Sequence, residues 1–167
     1  MYKNLILGAD VGGSHITAAL IDEESGEVLD GSWRRNTVSS EAEANQVIGT
    51  WSETMNATLS SVGDYHLKGI GVAMPGPFNY EEGISLMKGV NKFDALYGIN
   101  IKTALRALLK TEPEIPFCFM NDAACFGLGE SREDESRRSK KIIAITLGTG
   151  FGATFLESGK ILTEGKG

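Results

Sequence analysis

Three stretches of this sequence carry residue types that can do chemistry together. The first is Leu5-Ile6-Leu7-Gly8-Ala9-Asp10-Val11-Gly12-Gly13-Ser14, an apolar strand that delivers a carboxylate to a turn of small residues. Glycines let backbone N–H groups approach an anion with no Cβ in the way, and the Ser14 hydroxyl adds a donor, so the turn reads as a phosphate cradle. Asp10 would repel that phosphate unless a cation lay between them, which implies a divalent metal such as Mg²⁺ with its waters. A β-hairpin whose glycine pair serves only the turn also explains these residues.

The second stretch is Asn121-Asp122, placed where a short apolar strand (116–120) gives way to a helical pattern. A carboxylate there can accept the proton of an attacking hydroxyl during phosphoryl transfer, while Asn121 holds that hydroxyl by hydrogen bonds. Asn and Asp are also favoured helix caps, and a purely capping role accounts for the dipeptide on its own. The third stretch, Leu147-Gly148-Thr149-Gly150-Phe151-Gly152, repeats the strand-then-glycine-turn pattern. Its glycines run G-x-G-x-G rather than G-x-G-x-x-G and no helix follows, so it is no dinucleotide fingerprint; Gly165-Lys166 lacks the offset glycine and the hydroxyl of a Walker A loop. Two such turns could grip one polyphosphate from opposite sides.

The elements that must position these residues follow from periodicity. Strands over 5–11, 16–20 and 28–35 form an antiparallel meander. A helix follows, with Ser40 and Glu43 as a capping box and Val47, Ile48, Trp51, Met55 and Leu59 at helical spacing. The buried strand over 67–74 breaks at Pro75-Gly76-Pro77, and 79–83 reads as a hairpin turn. Asn100 caps a helix running to Leu109, and Asn121-Asp122 starts another that carries Ala124, Cys125 and Leu128. The charged run 132–141 is a solvated connection to a final hairpin over 142–161.

Composition narrows the classes. With 16 basic against 22 acidic residues, net −6, the chain is a poor nucleic-acid binder. No apolar run is long enough for a bilayer and the start lacks a basic leader region, so the expectation is a cytoplasmic protein with no membrane partner. Cys118 and Cys125 lack metal-site spacing and are expected as buried thiols. His15 and His66 are the only histidines; His15 sits beside the first glycine turn, where it could touch phosphate, although an ordinary strand position is the preferred reading. Trp33 and Trp51 are expected in the core.

In order and spacing, Asp10-Val11-Gly12-Gly13-Ser14, Met74-Pro75-Gly76-Pro77, Asn121-Asp122-Ala123 and Leu147-Gly148-Thr149-Gly150-Phe151-Gly152 resemble the ROK family of sugar kinases, within the actin and hexokinase superfamily. The resemblance implies an α/β, actin-like ATPase (RNase H-like) fold, with a mixed sheet whose first three strands are antiparallel and flanked by helices. It further implies phosphorylation of a hexose or N-acetylhexosamine by Mg·ATP. Carried over by position, Asp10 would hold Mg²⁺ or its water, and Gly12, Gly13 and Ser14 would form the first phosphate turn. Gly148, Thr149 and Gly150 would form the second. Asp122 would be the general base, Asn121 a sugar ligand, and Gly76 part of the loop near the sugar.

The chain departs from the family in two respects. Many members continue the first turn with Thr-Lys where Ser14-His15 stands here. The family's Glu-x-Gly-His sugar motif, its cysteine-rich zinc site and its adenosine-binding segment lie beyond Gly167. The expectation is therefore the N-terminal portion of a longer protein: residues 1–138 as the first domain and 139–167 as the opening β-hairpin of a second, without the zinc site and not competent for turnover alone. A hairpin that opens a larger sheet leaves an unpaired edge and a bare apolar face, which predicts folding back or a homodimer. Two alternatives remain. A ROK-type sugar-sensing transcription regulator would need a DNA-binding segment ahead of the first turn, where nine residues precede Asp10. A non-catalytic actin-like nucleotide-binding module would share the phosphate turns but need no Asn-Asp base.

Overall fold

The computed structural model describes residues 2–90, 92–133, 141–147 and 151–162. Strand β1 (Asn4–Val11) alternates as its sequence requires: Leu5, Leu7, Ala9 and Val11 are buried on one face, and Ile6, Gly8 and Asp10 turn to the other. Strand β2 (His15–Asp22) returns antiparallel, with Leu20 opposite Leu7 and Thr17 opposite Asp10. Strand β3 (Arg34–Thr37) pairs antiparallel with β2, while β4 (His66–Met74) lies parallel to β1 on its other side. With β7 (Phe117–Asn121) the sheet order is β3-β2-β1-β4-β7, the mixed sheet with an antiparallel start that the sequence predicts.

Helix α1 (Ala44–Leu59) covers the apolar face because Val47, Ile48, Trp51, Met55 and Leu59 fall on one side of it. Trp51 is fully buried, edge-on to the equally buried Phe93 at 5.3 Å between ring centroids. Between β4 and the next helix lie a small hairpin, β5 (Phe78–Asn79) with β6 (Ile84–Ser85), and a 3-10 turn at Asp94–Leu96. Helix α2 (Ile101–Leu108) buries Ile101 and Leu105, and the Asn100 Oδ1 accepts from the Thr103 N–H at 2.9 Å, the expected cap.

Several expectations need correction. The third strand is confined to Arg34–Thr37: Gly31 turns left-handed at φ 76°, leaving Val28 a lone bridge to Ile21, and the buried Ser32 hydroxyl takes the Leu20 N–H instead of a strand partner. No capping box opens α1. Its N-cap is Glu43, without a side-chain bond, and the Ser40 carbonyl accepts from the Phe93 N–H at 2.9 Å. Trp33 is 53% exposed, and Cys118 is exposed because Phe117 and Phe119, on either side of it in β7, take the buried face. Cys125 is half-buried.

The chain forms two compact units, Met1–Phe119 and Met120–Gly167. In the second, α3 (Asp122–Glu133) packs on an antiparallel hairpin of β8 (Lys141–Leu147) and β9 (Phe151–Glu157), with β10 (Lys160–Ile161) beside β9. The boundary expected at residue 138 lies outside the described residues. Gly127 is the point of closest approach: a β-carbon there would overlap Thr154, Leu156 and Ala144. The opposite hairpin face is bare, with Ile143, Ile145, Leu147, Phe151 and Phe155 all exposed, from 51% at Phe155 to 83% at Leu147. Among the described residues no helix is long and apolar enough to cross a membrane.

Candidate functional site

In the first unit, parallel pairing sets Asp10 opposite Ala73, so the turn after β1 and the Pro75-Gly76-Pro77 loop after β4 leave the sheet at the same edge. Carboxyl ends of parallel strands are where open α/β sheets collect ligands. Asp10 is exposed there. Among the described residues no group of three or more His, Cys, Asp or Glu could cage a metal ion. A single carboxylate beside a glycine turn nonetheless fits Mg²⁺, which keeps most of its waters and needs few protein ligands.

The turn itself is tightly tied. The Gly12 N–H donates to the His15 carbonyl at 2.9 Å, and the Val38 N–H donates to the Ser14 carbonyl at 2.9 Å. Gly12 is not left-handed; what demands glycine is the His15 imidazole, whose Cε1 and Nε2 would stand 3.2 and 3.3 Å from a β-carbon at 12. The Ser14 Oγ lies 3.2 Å from His15 Nδ1. The Gly12 N–H is thus engaged inside the turn. Sequence reasoning preferred an ordinary strand position for His15 over a phosphate contact. At Gly76 the preceding strand is held by the Tyr80 hydroxyl, which donates to the Met74 carbonyl at 3.2 Å; a β-carbon at 76 would stand 3.2 Å from that hydroxyl. The Gly76–Pro77 peptide is cis.

In the second unit, Asn121 ends β7 and Asp122 opens α3. The Asn121 Oδ1 accepts from the Ala124 N–H at 3.1 Å, which is the bond of a helix N-cap. Capping therefore falls to Asn121. Asp122, half-buried in the first turn, takes the Ala123 N–H on Oδ1 at 2.9 Å, at the end of the helix whose dipole favours an anion. Gly148, Thr149 and Gly150 lie outside the described residues, but their flanks are paired, Leu147 opposite Phe151. Gly152, quoted in the motif without a role, has a clear one. A β-carbon there would stand 2.5 Å from Thr146 Oγ1 and 2.9 Å from Ala123 Cβ, so only glycine lets β9 start against the first turn of α3, beside Asp122.

The sequence profile of the ROK family matches residues 6–167. This chain belongs to the ROK family. Among curated relatives it is 27% identical over 155 residues to the N-acetyl-D-glucosamine kinase of Haemophilus influenzae (strain 86-028NP), an alignment covering 92% of this chain and 46% of the relative. Among solved structures, the inorganic polyphosphate/ATP-glucomannokinase from Arthrobacter sp. strain KM superposes with a TM-score of 0.76 at 26% identity, covering 98% of this chain and 62% of that one. The ROK family glucokinase from Streptomyces griseus, solved with glucose and AMPPNP, shares the fold with a TM-score of 0.71 at 22% identity, covering 95% and 46%. The fold of this ROK chain is thus the actin-like ATPase fold. It spans about half the length of the curated relatives it matches.

Proposed function

We propose that this ROK chain belongs to a kinase that transfers the γ-phosphoryl group of Mg·ATP to a hydroxyl of a hexose or N-acetylhexosamine, with N-acetylglucosamine the first candidate. The observation that carries the reading is the division of labour at the start of α3. Asn121 takes the cap, so the Asp122 carboxylate in the first turn is not needed to hold the helix. Membership in the family and the names of its kinase relatives supply the reaction class.

In this reading Asp122 accepts the proton of the sugar hydroxyl as its oxygen attacks the γ-phosphorus in line and ADP departs. The Asn121 amide N–H groups and the Gly76 loop orient the sugar. Gly13 and Ser14, in the turn that Gly12 shapes, hold phosphate by backbone N–H groups and the Ser14 hydroxyl, as do Gly148, Thr149 and Gly150. Mg²⁺, held by Asp10 directly or through water, would neutralise the developing charge on the phosphate oxygens. Residues 1–138 would serve as the first domain and 139–167 as the opening hairpin of a second.

We also place the protein in the cytoplasm, with sugar and ATP rather than nucleic acid as partners, consistent with its net charge of −6. Two copies would pair through the bare face of β8 and β9. Its five large apolar side chains are all exposed, and pairing would take them out of water. Light scattering should give twice the chain mass, and Ile145→Glu should halve it; a monomer at all concentrations removes the pairing. The activity is tested by ADP release with N-acetylglucosamine, glucose, N-acetylmannosamine, mannose and fructose, on this chain and on any longer product of its gene. Sugar-dependent release is the expected result. Nucleotide binding without release on any sugar would favour a binding module instead.

A further inference from the structure

We propose that His15 is a phosphate ligand of the first glycine turn, its Nε2–H donating to an anionic oxygen of a bound polyphosphate. The inference rests on the phosphate reading of residues 12–14 and adds to it a side chain outside that motif.

The geometry is specific. A histidine at the first position of a strand ordinarily projects from the sheet; this ring instead leans back over the turn and occupies the space where a side chain on residue 12 would be. Its Nδ1 is directed at the Ser14 hydroxyl, 3.2 Å away. When Ser14 donates this bond, Nδ1 accepts and the ring proton sits on Nε2, fixing the tautomer that presents a donor. Ser14 and the imidazole therefore form one unit beside the turn that an anion would enter. A hydrogen bond from that nitrogen to a phosphate oxygen is charge-assisted and shorter and stronger than a neutral one.

The cross-strand register defines the surroundings. His15 pairs with Thr37, while Thr17 lies between Asp10 and Arg35, so a carboxylate and a guanidinium stand one pair further along the same register. Arg35 adds positive potential toward an anion, and Asp10 is the residue assigned to the cation. A ring that only filled space over Gly12 would need no nitrogen, and that difference separates the proposal from simple packing.

The test is calorimetric titration of the chain with Mg·tripolyphosphate, which reads phosphate contacts without adenine, and with Mg·ATP. His15→Phe keeps a ring over Gly12 and removes both nitrogens; it should weaken binding of both probes about tenfold, the scale of one hydrogen bond to a charged group. His15→Lys returns an N–H donor and should bind within about threefold of the parent, a recovery expected of that donor strength. Gly12→Ala should displace the ring and match His15→Phe. If His15→Phe binds as tightly as the parent, or His15→Lys as weakly as His15→Phe, the imidazole is not a ligand, although the turn still is. If the parent binds neither probe, the phosphate reading of the turn falls and His15 falls with it.

Discussion

The two compact units are built from the same materials, strands with a helix on one face, yet they close their cores differently. The first packs a 16-residue helix and large side chains, Trp51, Met55, Phe93 and Leu105 among them, against a five-stranded sheet. The second packs α3 on a three-stranded sheet through Gly127, Gly152 and Ala123, with the closest approaches made by missing side chains rather than by large ones. Its other face is apolar and bare. Large interlocking residues make a core that stands alone; small residues make a close fit that contributes little burial. In this chain the second arrangement carries Asp122, the proposed base.

That contrast can be broken at its strongest point first. Trp51→Ala should cost the first unit about 3–5 kcal/mol in denaturant unfolding, the range for emptying a fully buried aromatic site. A loss under about 1 kcal/mol would mean that its core is no tighter than that of the second unit. Gly127→Val should cost about 1–3 kcal/mol by overpacking. The loss should appear as faster hydrogen exchange of the β8 and β9 amides, while those of β1 and β4 keep their protection.

Helix starts give a finer comparison. Asn100→Ala and Asn121→Ala each remove a side-chain cap and should each cost about 1 kcal/mol. Glu43→Ala removes no such bond and should be close to neutral in the same melting experiment. The smallest effect is expected at Asp22, at the end of β2. Its carboxyl is held below the ordinary value of 3.8 chiefly by the Ser25 N–H, then by the Lys3 side chain, 3.2 Å away, and the Glu24 N–H. A lowered folded pKa stabilises above the unfolded value, and that contribution disappears as pH falls through the folded one. Melting temperatures recorded from pH 6 down to pH 2 should therefore fall slightly less steeply for Asp22→Asn than for the parent.

Much of the fold was legible because it rests on short-range pattern. Apolar runs ended by glycine or proline turns placed β1 and β4, helical spacing placed α1, and Asn100 and Asn121 marked helix starts that the structure confirms. The errors share a cause. Ser40 looked like a cap, but the Phe93 N–H, distant in sequence, takes its carbonyl. Trp33 and Cys118 looked like core, but which strand face is covered is a tertiary fact. Around the candidate site the residues were legible and their division of labour was not: nothing local says that Asn121 rather than Asp122 takes the cap, that Gly12 makes room for an imidazole, or that Gly152 admits β9 to α3.

The most direct test is the steady-state kinetics of Asp122→Asn in the form of the protein that turns over sugar. The account predicts a loss of about a thousandfold in kcat, within the range for removing a general base, with little change in KM for sugar or ATP and an unchanged melting temperature. A variant that keeps kcat within a few-fold of the parent would contradict it, leaving Asp122 a residue of the helix start and the base elsewhere.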